Sequence, residues 1–312
     1  MRNRRFKNLL KYTVTIGIAS SMLIPSAVMA DSVMTDSCII LGEDLTDTEL
    51  ATVLDIWGIT EEDLEDYTVV YITNEQEHEY LDSYLDDSVI GTRALSCAMI
   101  TDLDGDDTDI EVETQNISYC TTGMYENALT TAGVTGVECS VAGPYNISGT
   151  AALIGIAVAY EEITGEEVDE DALDAAINEA VVTGELKEEA ETEEEAETME
   201  GVIAYAKEAY ANGELKTEED IDETLDEAEE AFNVSLSDED RELIKSLIDR
   251  LDSLDLDEDA IANTAQSIYE KLSDAGYDID MDSLSDMLSD SSGFFAKLKE
   301  AFSSFFSKLF GN

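Results

Sequence analysis

From Glu166 to the C-terminus the chain contains no proline, and its apolar residues fall at helical spacing throughout. Proline removes a backbone donor and clashes with the preceding turn, so its absence over nearly half a chain leaves helices uninterrupted. "DEDALDAAINEAVVTG" sets Leu173, Ala176, Ile177 and Ala180 on one face. "VIAYAKEAYANG", "TEEDIDETLDEAEEAFN", "SDEDRELIKSLIDRLDSL" and "DEDAIANTAQSIYEKLSDAG" follow, entered through acidic or hydroxyl residues that suit the positive end of a helix dipole. The run "EEAETEEEAETMEG" (188–201) is nearly all acid and reads either as a linker or as an exposed helix end. "TGELKEEAE" (183–191) and "NGELKTEED" (212–220) look alike, but two copies are too few for a solenoid. Residues 166–292 read as an acidic helical domain.

The stretch before it has a different grammar. "LTDTELATVLDIWGI" is a helix opened by a capping box, Thr46 with Glu49, and carrying Leu50, Val53, Leu54 and Trp57 as its apolar stripe. "YTVVYITN" (67–74) is a β-branched run, "EQEHEYLDSYL" a polar helix, and residues 93–101 a strand. "TDIEVETQNI" alternates Ile110, Val112 and Thr114 against acids, and the turn-rich "DLDGDD" ahead of it suits a hairpin. "TTGMYENALTTAG" is a helix stopped by Gly133, and "GVECSVAG" is a strand. "SGTAALIGIAVAYEEITG" is a helix apolar almost all round, hence buried, and too short to cross a bilayer. Residues 67–142 thus run β-α-β-β-α-β, the order of a ferredoxin-like split βαβ sandwich with helices on one face of an antiparallel sheet. The fold class expected is α+β: a sandwich domain over 31–165, the all-helical region, and a terminal amphipathic helix over 293–312.

Charge narrows the function. The chain carries 74 acidic residues against 16 basic ones, a formal net charge of −58. Its first thirty residues have the order of a signal peptide: basic "MRNRRFKNLLK", apolar "YTVTIGIASSMLI", and small Val28 and Ala30 before the expected cut. Five of the 16 basic residues and none of the acids lie there, so the remaining 282 residues hold 11 against 74, a net −63. Such a body repels nucleic acid, whose phosphates need a basic footprint. It attracts calcium, magnesium, polyamines or basic peptides.

Three stretches carry a family resemblance: "IGTRALSCAMI" (90–100), "VETQNISYCTTGMYENALTTAGV" (112–134) and "VAGPYNISGTAALIGIAVAYEEITG" (141–165). They resemble the YpuA-like proteins, domain-of-unknown-function family 1002. The leading "LGEDLT" and a helical half with a Phe-rich end fit the same family. The resemblance implies an exported protein of a Gram-positive-type bacterium, extracytoplasmic, secreted or cell-surface associated. It supplies no catalytic residue. Ile154 stands where the family pattern has a threonine, and "DLDGDDTD" is longer than the usual turn.

The residues themselves offer little chemistry. The one histidine, His78, sits among glutamates that favour imidazolium, a poor general base. Cys38, Cys97, Cys120 and Cys139 match no zinc or redox spacing and read as buried thiols, with a Cys97–Cys139 bridge as the alternative. "AGPYNISGTAAL" resembles a phosphate loop only loosely, because no lysine follows; glycine turning the chain and Ser148 or Thr150 capping the helix account for it. Asn116, Ser118, Thr121, Thr122, Tyr125, Asn127 and Thr130 are read as caps and local hydrogen bonds, with a binding surface as the alternative. Asp102, Asp104, Asp106 and Asp109 offer weak calcium ligation, but the glycine comes fourth where an EF-hand needs it sixth. No other cofactor is expected.

The chain ends on "GFFAKLKEAFSSFFSKLF", which holds six of the eight phenylalanines. At 100° per residue Phe294, Phe295, Leu298, Phe302, Phe305, Phe306 and Leu309 share one side, with Lys297 among the flanking lysines. That is the pattern of a helix lying in a membrane interface; docking on the protein itself or on another copy is the alternative. The expected function is a non-enzymatic, envelope-associated acidic binding module for cations or a protein partner, with no nucleic-acid role. An exported hydrolase with a carboxylate site is the alternative.

Overall fold

Ser37–Gly42 forms the first strand, β1, with a run of apolar residues that alternate between two cores: Cys38 and Ile40 enter one, Ile39 and Leu41 the other. A strand buried on both faces belongs inside a sheet, and β1 lies between β2 (Thr68–Ile72), its parallel neighbour, and β3 (Cys97–Asp102), its antiparallel one. β5 (Val137–Ile147) pairs antiparallel with β3, and β4 (Ile110–Ile117) lies parallel at the far edge. The sheet is mixed, in the order β2-β1-β3-β5-β4. The computed structural model describes residues 37–102, 109–164, 169–190, 192–252 and 256–277, with Leu254, Ile279 and Leu284 besides.

The α+β class expected from the sequence holds, with the sheet in the first half and helices after it. The strand order departs from a ferredoxin-like sandwich. β3 and β4 do not form a hairpin, because β5 is inserted between them. The reason is burial: β5 hides Val137, Cys139, Val141 and Ala142, whereas β4 leaves Glu111 and Glu113 exposed and takes the edge. β1, which no expected element covers, adds a fifth strand.

Helices lie on both faces, not one. On one side α1 (Asp47–Ile56) packs through Val53 and Leu54 on Ile39, Leu41, Cys97 and Ala142, after the expected capping box of Thr46 and Glu49. α2 (Asn74–Leu81) and the short α3 (Asp87–Ile90) lead into β3. On the other side lie α4 (Thr122–Thr131) against β4 and α5 (Thr150–Thr164) against β1, β2 and β3. α5 is the buried apolar helix expected there, with Ala151, Ala152, Leu153, Ile154 and Ile156 all enclosed.

The second half forms α6 (Glu170–Glu189), α7 (Glu193–Ala211), α8 (Glu218–Phe232), α9 (Asp238–Leu251) and α10 (Glu258–Ala275). The acidic run straddles the α6–α7 turn, where Thr192 caps α7. α7 packs against α6, α8, α9 and α10 around Val202, Ile203, Tyr205, Leu225, Phe232, Leu247 and Leu272. α6, α7 and α10 also cover the face of α4 that the sheet leaves open, so α4 is buried from Gly123 to Thr131. No helix among the described residues is long and apolar enough to cross a membrane.

Candidate functional site

The β4–α4 and β5–α5 connections run side by side. Asn116, at φ 60° where β4 bulges, donates through Nδ2 to Gly143 O at 3.0 Å. The Ser118 and Cys120 amides donate to Ile147 O and Ser148 O at 2.8 and 3.0 Å, and Tyr125 Oη donates to Gly149 O at 2.7 Å. Thr121 caps α4 through Met124 N, and Ser96 Oγ accepts from Ala152 N in the first turn of α5 at 2.9 Å. Capping and local bonds account for Asn116, Ser118 and Tyr125, whereas Thr121, Asn127 and Thr130 also bond across to the helical layer: Thr121 to Glu200, Asn127 Nδ2 to Glu200 O at 3.1 Å, and Thr130 Oγ1 with Thr264 Oγ1 at 2.7 Å.

Beyond this junction α4 presents a buried polar face to the helical layer. Glu179 of α6 and Lys207 of α7 are almost wholly enclosed, with Nζ 2.9 Å from Glu179 Oε1 and donating to Asn127 O at 2.7 Å. That Oε1 nonetheless accepts no well-aligned hydrogen bond, so the contact is chiefly coulombic; Oε2 accepts from Lys207 at 3.2 Å and from Thr131. Burial pushes Glu179 up and Lys207 down against their mutual attraction. Glu126 pairs with Lys271 of α10 and accepts from Val112 N at 3.3 Å, leaving Oε2 buried without a partner. Burial raises its carboxyl to about 7. Glu200 of α7 accepts from Thr121 at the N-terminus of α4, where Gly123 makes room: a Cβ there would fall 2.6 Å from Glu200 Cδ. Glu208 of α7 accepts from Tyr269 Oη at 3.1 Å and is raised to about 8 by burial.

An open cleft of about 360 Å³ lies between the α2–α3 turn and α6. Its walls carry Asp82, Asp86, Glu185 and Glu188 beside the rings of Tyr84 and Tyr119, and no lysine, arginine or histidine. Tyr119 reaches it because residue 184 is glycine; a Cβ there would sit 2.2 Å from the tyrosine Oη. Tyr84 is fixed, donating to Asp174 Oδ1 at 2.5 Å, while Arg250 of α9 stands 2.9 Å from Asp174 Oδ2 and 5.8 Å from the centre of the Tyr84 ring. Glu185 is raised by partial burial and by the like charges of Glu189 and Glu188. A site of this make-up favours a cation with an apolar stem.

Residues 41–268 match a known family, described as protein of unknown function DUF1002. The chain is also 33% identical over 252 residues to the uncharacterized protein YpuA of Bacillus subtilis (strain 168), covering 80% of this chain and 84% of that protein. The chain belongs to the DUF1002 family. No solved structure matches it. The matched span opens inside β1 and closes inside α10, so the DUF1002 region takes in the sheet, the helical layer and the seam between them.

The residues singled out from the sequence are spread through this DUF1002 chain. Asp102 ends β3, and Asp109, exposed, precedes β4. Both strands pair with β5 at Val137, which holds the two ends roughly 10 Å apart, twice the strand spacing. Asp104 and Asp106 lie outside the described residues, as do Phe294, Phe295, Lys297, Leu298, Phe302, Phe305, Phe306 and Leu309. The four cysteines are free and buried, and burial lifts Cys97, Cys120 and Cys139 to about 12. A Cys97–Cys139 bridge is ruled out: Cys139 sits opposite Ile100, and the two thiols face opposite sides of the sheet. His78 Nδ1 lies 2.5 Å from Asp82 Oδ1 and Nε2 3.2 Å from Gly91 O, and the Asp82 bond raises its pKa. With both nitrogens facing acceptors the ring is held as imidazolium, so the grouping of His78 with Asp82 and Asp87 offers a metal no free nitrogen.

Sequence reasoning missed Glu126, Glu179, Glu200, Glu208, Lys207 and Lys271, because 74 acids hide any four. The usable signal was the lysines. Lys207 interrupts "VIAYAKEAYA", an otherwise small and apolar stripe, in a chain that has few cations to place.

Proposed function

We propose that this protein is an extracytoplasmic, non-enzymatic binding module of the cell envelope, which takes an organic cation or a basic segment of a partner in the cleft between α2–α3 and α6. The carrying observation is that cleft: four carboxylates and two tyrosine rings with no basic residue among its walls. Every lysine and arginine among the described residues except Lys216 stands in an ion pair, so the body has little positive charge left to answer the cleft. The signal-like residues 1–30 support export, and the Phe/Lys pattern of 293–312 supports attachment at a membrane surface. Calcium at the β3–β4 connection is a weaker, separate cation site of the same module.

Spermine titrated calorimetrically into residues 31–312 tests the reading. One saturable site is expected, weakened at least about tenfold in a Glu185→Gln/Glu188→Gln double variant, a loss of ~1.4 kcal/mol. Binding that is non-saturable, or equal in the variant, means diffuse charge only and sinks the assignment. One observation favours the alternative, a hydrolase: Glu185, raised and beside Glu188, resembles a poised carboxylic acid. Glycan or peptide turnover abolished by Glu185→Gln would install that reading instead.

A further inference from the structure

The seam around α4 holds more buried acid than its bonded cations balance. Glu126 has Lys271 and Glu179 has Lys207, but among the described residues Glu200 and Glu208 accept hydrogen bonds from the hydroxyls of Thr121 and Tyr269 alone, with Lys187 and Lys271 acting on Glu200 at longer range. All four carboxylates lie at or below 9% exposure; Glu126, Glu179 and Glu200 meet at α4, and Glu208 lies between α7 and α10 of the layer that covers it. A buried carboxylate without a counter-ion costs several kcal/mol unless it is neutralised, and the available means is a proton. We propose that packing α6, α7 and α10 on one another and on α4 takes up protons, so the helical layer is held firmly in mildly acidic surroundings and loosens as the pH rises past neutrality.

The neighbours fix the sign. Glu126 faces Lys271 from α10, Glu200 from α7 and the Val112 amide from β4. Glu200 faces Thr121 from α4, Lys187 from α6, Lys271 from α10 and Glu197 on its own helix. Glu208 faces Tyr269 from α10 and Glu214. Glu179 faces Thr131 from α4 and Lys207 from α7. Burial raises every one of these acids. A raised acid contributes stability that is complete below its unfolded value near 4.5 and is lost as pH climbs through its folded value, here about 7 for Glu126 and about 8 for Glu208. Lys207, lowered by burial, acts with the opposite sign towards the alkaline end. Buried Glu77 of α2 and Glu185 of the cleft, both raised, act in the same direction in parent and variants alike, whereas the other exposed carboxylates finish titrating near pH 5 to 6 and leave that window clear. His78 does not: it is raised by Asp82 and loses its contribution in the same direction, so it must be removed as a control.

The test is denaturant unfolding of residues 31–312 at intervals from pH 6 to 8.5, on a His78→Gln background. Backbone hydrogen exchange, corrected for the intrinsic effect of pH, is followed in Thr122–Thr131 and Glu258–Ala275. The midpoint should fall with rising pH while protection in α4 and α10 drops before that in β1 and β3. Glu126→Gln with Glu208→Gln should remove about half of that slope or more. Lys271→Gln, which deprives Glu126 of its cation, should instead move the fall to lower stability at every pH and to a higher midpoint pH. A slope unchanged in the double glutamine variant, or loss of protection first in the sheet, overturns the proposal. Should the double variant not fold, the single Lys271→Gln shift decides it: no displacement along the pH axis overturns it equally.

Discussion

Glu179 and Glu188 are the same side chain on the same helix, one buried against Lys207 and the other on the wall of a solvent-filled cleft. Surroundings alone separate them. In the seam around α4 a carboxylate must be matched by a cation, a hydroxyl or a proton, because water is excluded. In the cleft it keeps its hydration, and its charge is available to a visitor. Composition cannot make the distinction, and a formal net charge of −58 counts both kinds alike.

Breaking the buried pair should give the largest effect. Lys207→Met leaves Glu179 enclosed without its cation and should cost about 3–5 kcal/mol in denaturant unfolding; a cost under ~1 kcal/mol would show the seam to be wet. Gly123→Ala comes next, since a methyl group there displaces the Glu200 carboxylate from the start of α4. About 1–3 kcal/mol is expected from such overpacking, read as a lowered thermal midpoint. Glu188→Gln should be the mildest, within roughly ±0.5 kcal/mol as for other exposed positions, while still weakening spermine binding. If Glu188→Gln destabilises as much as Gly123→Ala, the two classes of carboxylate are not distinct.

Some of this was legible in the sequence. The capping box of α1 and the enclosed apolar α5 follow from local spacing, and both formed as expected. The hairpin did not, because "DLDGDD" marks where the chain turns and says nothing of which strand enters beside β3. The two "GELK" stretches show the same limit. Gly213 takes φ 70° and ends α7 after Asn212, whereas Gly184 lies inside α6 because Tyr119, 65 residues earlier, occupies the space of its missing side chain. α4 was the deepest miss. Its Asn and Thr residues read as caps and local hydrogen bonds, and only the arrival of α6, α7 and α10 makes them interior.

The chain's only tryptophan has a practical consequence. Trp57 donates through Nε1 to Ser140 Oγ at 3.1 Å and packs with α1, across the sheet from α4. Its fluorescence therefore watches one side of the β-sheet and is blind to the helices beyond α5, which dominate far-ultraviolet circular dichroism. Unfolding traces that coincide by the two optical signals would mean that sheet and helical layer melt as one cooperative unit. Traces that separate, with ellipticity lost first, would time how long the sheet survives once its helical cover has gone.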